Sequence, residues 1–181
     1  YDIREVYHRY LKGECALSTC IDMLNFQECV YPENHIKMRC LENHDQPRIC
    51  SFVKEEKSLV NFTAFLYFLK GTTLLYGGQE YRCEETPSLF EKDVFSRDTA
   101  KDITPLLQKL YGVKKNVLSH EDYFKGSADD LHDIAVLERE DNRARKLGVF
   151  SLKGRSSDVK VEFPDGSYVN AISGETVCVT G

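Results

Sequence analysis

Asn43, His44 and Asp45 stand side by side directly after a short apolar segment, Ile36-Lys37-Met38-Arg39-Cys40-Leu41. A carboxylate next to an imidazole can do chemistry. Asp45 can stabilise a developing positive charge, and His44 can hydrogen-bond sugar hydroxyls or an anion. Packing needs no acid–imidazole pair at a strand exit, although Asn, Asp and His are also ordinary loop residues. A second polar group, Gln79 and Glu80, follows Gly71-Thr72-Thr73-Leu74-Leu75-Tyr76-Gly77-Gly78. The Gly pair permits a tight turn or a close backbone approach to a ligand. It is not a phosphate loop, because G-x-x-x-x-G-K and the dinucleotide fingerprint are absent.

Both clusters need elements to hold them. Leu17, Cys20, Ile21 and Leu24 recur at i, i+3, i+4 and i+7, which predicts an amphipathic helix over Glu14 to Val30. Tyr31-Pro32 ends it, since a residue before Pro avoids the helical region. Ile36 to Leu41 is short enough for a strand, and Glu42 to Pro47 is its polar exit loop. A second helix is expected from about Glu55 to Lys70, with Leu59, Phe62, Phe65, Leu66 and Leu69 as its seam and Gly71 as its stop. Thr72 to Tyr76 reads as a buried strand. Arg82 to Lys101 is a polar loop. Thr104-Pro105 starts a third helix, Ile103, Leu106, Leu107, Leu110 and Tyr111 mark its buried face, and Gly112 is its stop signal. The two strands begin about 35 residues apart, a spacing for βα units in a parallel sheet.

The period changes after about Val117. Val159, Val161 and Phe163 alternate with Lys160 and Glu162, which predicts a half-buried strand. Phe163 reads as core, and Tyr168 can face either way. Asp165-Gly166 is a strong hairpin signal and Ser173-Gly174 a weaker one. Asp133 to Glu138, Lys146 to Leu152 and Glu175 to Thr180 read as further strands, with the charged stretch Arg139 to Lys146 as a solvated turn. The last third is an antiparallel β region apart from the α/β part. Its expected role is to cover the preceding domain rather than to bind sugar.

Composition narrows the function classes. The 181 residues carry a formal charge of −5, with 24 Lys and Arg against 29 Asp and Glu. That balance, with scattered cations, argues against a nucleic-acid surface. Ten Tyr and ten Phe supply core material, so disorder is excluded as the main state. Phe62 to Leu69 is the most apolar stretch and falls far short of the about 20 residues of a membrane span. Seven Cys show no C-x-x-C and no finger spacing, so zinc is not expected and most read as core filler in a reducing compartment.

Leu41-Glu42-Asn43-His44-Asp45-Gln46-Pro47-Arg48, then a helix, then Gly71 to Glu80, resembles barrel strands seven and eight of the α-amylase family, glycoside hydrolase family 13. Asn43-His44-Asp45 matches that family's fourth motif. Leu147 to Gly154, with the strands around Asp165-Gly166, resembles its C-terminal β domain. The resemblance implies an α/β chain, the C-terminal part of a (β/α)8 TIM barrel followed by a small antiparallel all-β domain. The expected division is 1–115 for the final βα units and 116–181 for the β domain. It implies that Asp45 is the third catalytic carboxylate, which stabilises an oxocarbenium-like transition state, and that His44 binds the sugar, with Asn43 beside it. Arg48 and Glu42 are expected to brace the loop, and Gln79 and Glu80 to occupy the family's polar pair at the exit of strand eight.

A retaining glycosidase needs two further carboxylates about 5–5.5 Å apart. In this family they follow strands four and five, which by this resemblance lie before Tyr1. A complete barrel takes about 250 residues. The expectation is therefore a piece of a longer α-glucan-active hydrolase, inactive alone, exposing apolar surface where the missing N-terminal barrel part would pack. Its implied partner is starch or a malto-oligosaccharide, with no nucleic acid and no membrane. No cofactor or metal ligand is expected in this segment, although the full-length parent can carry structural calcium. The Cys usage favours the cytoplasm, with secretion as the alternative. Three other readings stand beside this one: an α-glucan transglycosylase of the same fold, a non-catalytic glycan-binding relative, and an HD-type metal phosphohydrolase suggested by His44-Asp45. The last needs further ligands, and His8, His35, His120 and His132 show no ligand spacing.

Overall fold

The structure is a computed structural model that describes residues 3–180. In chain order the elements are α1 (Arg4–Leu11), α2 (Leu17–Val30), β1 (Met38–Arg39), α3 (Ile49–Phe52), α4 (Glu56–Phe68), β2 (Thr72–Thr73), α5 (Thr104–Asn116), β3 (Tyr123–Asp129), β4 (Ile134–Glu140), β5 (Arg145–Ser151), β6 (Gly166–Val169) and β7 (Thr176–Val179). Two 3-10 turns, Gln79–Tyr81 and Thr99–Lys101, lie between β2 and α5.

β1 and β2 pair in parallel, with Met38 opposite Thr72 and Arg39 opposite Thr73. A parallel pair needs a long crossover, and α3 with α4 supplies it. Gly71 makes the ladder possible. Its φ is +97°, and a Cβ there would lie 2.1 Å from the Lys37 carbonyl oxygen. The Thr72 amide donates to that same oxygen at 2.8 Å.

The two long helices follow their sequence periods. Leu17, Cys20, Ile21 and Leu24 of α2 are buried, as are Leu59, Phe62, Phe65 and Leu66 of α4 and Leu69 just after it. α2 starts at Leu17 rather than Glu14 because its first turn is capped from a distance. Ala16 has no side-chain acceptor to cap it, and the Asp130 carboxylate accepts from the Ser18 amide at 2.8 Å and the Ser18 hydroxyl at 2.6 Å. Cations fill the other end of α4. Lys114 Nζ donates to the Tyr67 and Leu69 carbonyls, Arg139 Nη1 to Phe68, and Arg39 Nε to Lys70.

α5 departs from its sequence signals. It runs through Gly112 to Asn116, and Tyr111 points outward, 59% exposed, while Ile103, Leu107 and Leu110 hold the buried face. Gly112 meets no neighbouring atom within 4 Å and has no left-handed φ, so nothing there stops the helix. α1 and the short α3 are elements that periodicity did not announce.

β3, β4 and β5 form an antiparallel sheet, with Ser127 opposite Val136 and Val136 opposite Val149. The sheet lies on α2 and α4. Phe150 packs edge-on against Phe65 and Phe68, with ring centroids 5.6 and 5.7 Å apart. The Ser151 amide donates to Asn61 Oδ1 at 3.0 Å, and Ser58 Oγ donates to the Leu152 carbonyl. The C-terminal strands thus cover the helices, as the sequence led us to expect.

The stretch from Arg139 to Lys146 is not a solvated turn. Arg139 and Glu140 end β4, Arg145 and Lys146 begin β5, and only the residues between turn. Arg139 is buried, held by the Phe68 and Ser119 carbonyls and by Asp122 at 3.4 Å. Val159 to Phe163 is not a strand. Burial does alternate along it, but these residues have no ladder partner. Asp165-Gly166 is not the hairpin turn either. Gly166 opens β6, opposite Val179, and the hairpin closes through Ser173-Gly174, where Gly174 has φ +80°. The Asn170 amide donates to the Glu175 carbonyl across that turn at 2.8 Å.

Candidate active site

The exit loop of β1 is built around a buried ion pair. Glu42 and Arg48 are both 0% exposed, and Arg48 Nη1 donates to Glu42 Oε1 at 2.7 Å. The other carboxylate oxygen accepts from the Ile49 amide at 2.8 Å. Burial pushes the Glu42 carboxyl up from its ordinary value, and the Arg48 and Ile49 hydrogen bonds pull it back. Arg48 Nε reaches the Glu85 carbonyl at 3.1 Å, and its guanidinium lies 4.3 Å from the centroid of the Tyr76 ring. The pair therefore closes the base of the loop.

Local hydrogen bonds shape the tip of the loop. Asn43 is buried, and its Oδ1 accepts from the Asp45 amide at 2.9 Å while its carbonyl accepts from the Gln46 amide at 3.2 Å. Its Nδ2 lies 3.7 Å from the Cys40 sulfur. An Asn side chain bonded to the amide two residues on is a self-made turn. It presents His44 and Asp45 outward, with side chains 61% and 50% exposed and His44 Nε2 3.3 Å from Asp45 Oδ1. Gln46 is buried beneath them.

The exit of β2 interlocks with this loop. Gly78 adopts φ +95°, and a Cβ there would lie 3.1 Å from Arg48 Nη2, 3.1 Å from Cys83 Sγ and 3.0 Å from the Phe95 ring. The Gly78 amide donates to Glu80 Oε2 at 2.8 Å, so Glu80 caps its own turn, and the Glu80 carbonyl accepts from Ile103 at the start of α5. Gln79 is buried, and its Oε1 accepts from the Tyr76 amide at 3.3 Å. Both residues thus shape the turn. Periodicity gave no sign of Tyr76 as the platform for Arg48. Its position at a strand exit was the only pointer.

Among the described residues, no group of three or more His, Cys, Asp or Glu is placed to hold a metal.

The family model for the catalytic domain of α-amylase matches residues 11–143, and the model for the bacterial α-amylase C-terminal domain matches residues 126–181. The chain belongs to the α-amylase family. It is similar in structure to an α-amylase from Lactobacillus plantarum, at 29% identity and a TM-score of 0.88, covering 99% of this chain and 43% of that one. A noncanonic maltogenic α-amylase from Thermotoga neapolitana matches at 26% identity and a TM-score of 0.84, over 98% and 44%. α-Amylase 1 of Schizosaccharomyces pombe is 23% identical over 173 residues, covering 89% of this chain and 27% of that protein. The chain spans less than a third of the curated relatives it matches. The fold is thus the C-terminal part of a (β/α)8 barrel followed by a small antiparallel all-β domain.

Proposed function

We propose that the protein carrying this chain is a retaining glycoside hydrolase that cleaves α-1,4-glucosidic bonds in starch or malto-oligosaccharides. One observation carries the reading: an outward Asp45 beside His44, on a loop clamped by a wholly buried Glu42–Arg48 pair at the exit of a parallel strand. Chemistry in such barrels sits at the C-terminal ends of the strands. Asp45 stabilises positive charge as the glycosidic bond breaks, His44 and Asn43 hold sugar hydroxyls, and Glu42 and Arg48 position the loop. The nucleophile and acid/base lie on barrel units N-terminal to this segment. Those units also cover Ile36, Met38 and Leu75, which are large, apolar and exposed here. Residues 1–115 belong to the barrel and 116–181 to the β domain. The seven unpaired thiols support a cytoplasmic location.

Asp45→Asn in the full-length enzyme tests the assignment. A group that binds more strongly in the transition state lowers kcat far more than it raises KM when neutralised. A kcat that stays near normal on a maltodextrin substrate removes Asp45 from the mechanism.

A further inference from the structure

Two thiols stand away from the site, at the junction of α1 and α2. Cys15 precedes α2 and is half-buried, while Cys20 sits in its first turn and is wholly buried. Both point at one acceptor. Cys15 Sγ lies 3.7 Å and Cys20 Sγ 3.6 Å from the carbonyl oxygen of Val6 in α1. Each sulfur is thus within hydrogen-bonding reach of the same backbone oxygen. Sharing one oxygen brings the two sulfurs together on the same side of α1.

We propose that Cys15 and Cys20 form a reversible thiol–disulfide pair, oxidised by a hydroperoxide and reduced by a dithiol, that staples the α1–α2 turn to the first turn of α2. The exposures assign the roles. Cys15 is the sulfur an oxidant can reach, and Cys20 is the enclosed partner. Burial pushes the Cys20 thiol up to about 12, which keeps it from being the first to react with peroxide.

The chemistry balances. The Cys15 thiolate attacks one oxygen of hydrogen peroxide, the O–O bond breaks, and a sulfenic acid forms with loss of hydroxide, which takes up the thiol proton as water. Cys20 sulfur then attacks the Cys15 sulfur, the S–OH bond breaks, and the leaving hydroxide takes the Cys20 proton as a second water. Two electrons pass from the sulfur pair to peroxide. The S–S bond of about 2.0 Å requires each sulfur to rotate off the Val6 oxygen. That carbonyl lies within α1, where the amide four residues on is its ordinary helical partner. The staple also falls where α2 has no side-chain cap of its own beyond the contribution of Asp130.

Leu17 lies between the two cysteines, so chymotryptic cleavage after it separates them unless a disulfide joins the products. The full-length protein is treated with dilute hydrogen peroxide, quenched with N-ethylmaleimide, digested and analysed by mass spectrometry. The expected result is a pair of linked peptides carrying Cys15 and Cys20, lighter by two hydrogens than their reduced sum and separated by dithiothreitol. In Cys20→Ala, Cys15 should instead collect a dimedone adduct. Should that buried variant not fold, Cys15→Ser at the half-exposed position should leave Cys20 reduced and alkylated. The proposal fails if Cys15 runs on to sulfinic acid while Cys20 remains alkylated. It fails equally if Cys20 links to another cysteine, or if the exposed Cys29 and Cys178 oxidise while this pair stays reduced.

Discussion

Replacing Arg48 by Met in the full-length protein tests whether the loop carrying Asp45 is held by charge or merely decorated with it. Arg48 and Glu42 are both 0% exposed, and their bond is 2.7 Å. Removing one member strands the other charge in a place that water does not reach, a change that costs about 3–5 kcal/mol in buried pairs. The Glu85 carbonyl loses its donor in the same step, and Tyr76 loses its cationic partner. Even the lower figure, about 3 kcal/mol, is more than a hundredfold in the folded-to-unfolded ratio. It is also a large part of a typical domain stability of about 5–15 kcal/mol. With a urea slope of about 1–3 kcal/mol per molar, the midpoint should fall by at least about 1 M.

The double variant Glu42→Gln/Arg48→Met separates charge from shape. Gln keeps an oxygen for the Ile49 amide and carries no charge to strand, so the double variant should be more stable than Arg48→Met alone. Urea titration followed by tyrosine fluorescence or far-ultraviolet circular dichroism reads both. The reasoning is refuted if Arg48→Met stays within about 1 kcal/mol of the parent, the range of exposed ion pairs. It is refuted also if the double variant is no more stable than the single.

Three shorter predictions follow. Gly71→Ala should destabilise the barrel part by more than about 1–2 kcal/mol, because it combines a left-handed φ with a Cβ 2.1 Å from the Lys37 oxygen, and a denaturant midpoint measures it. Lys114 is pushed down to about 8, chiefly by burial and then by Arg139 and Arg39. Between about 8 and the ordinary 10.5 the unfolded chain holds a proton that the folded chain has released, so this residue's contribution to stability rises with pH there. Comparing midpoints at both ends of that window should show a rise in the parent that Lys114→Met lacks. The isolated 181-residue chain should show no amylase activity, and maltose release from starch by that chain alone would overturn the placement of the two missing carboxylates.

What the sequence made legible was local. The seams of α2 and α4 repeat within a few turns, and Gly71 announces its bend by type alone. The missed strand β3 shows the opposite case. Its inward positions are Phe124, Gly126 and Ala128, and the last two are too small to signal a buried face. Their fit is set by residues about a hundred positions earlier. A Cβ on Gly126 would lie 2.6 Å from Ile21 Cγ2, and the Asn25 amide exchanges two hydrogen bonds with the Gly126 backbone at 2.8 and 2.9 Å. The segment from Val159 to Phe163 was over-read for a related reason, since alternation reports burial but not a ladder partner. At the site, the residue types of Asn43, His44 and Asp45 were plain in the sequence. The complete burial of Glu42 and Arg48 was not, because the enclosing turn at Tyr76 to Gly78 arrives some thirty residues later.

Arg139 and Arg39 show how the two parts of the chain are joined. The end of α4 presents four successive carbonyls, from Tyr67 to Lys70, and three cations from three different elements take them. Carbonyls at a helix C-terminus carry partial negative charge, which offsets part of what burial costs the cations there. One of the three, Arg39, lies in β1 three residues before Glu42, and its carbonyl accepts from the Leu74 amide at 2.9 Å. Another, Arg139, lies in the antiparallel sheet. The two-residue strand that delivers the site is therefore pinned at its base to the same helix end that the sheet caps, and at its exit by Glu42 and Arg48. A ladder of two residues is too short to fix a loop by itself. These charged anchors hold the segment bearing Asp45 at its base and at its exit, and Arg139 ties the antiparallel sheet to the same helix end without touching the site.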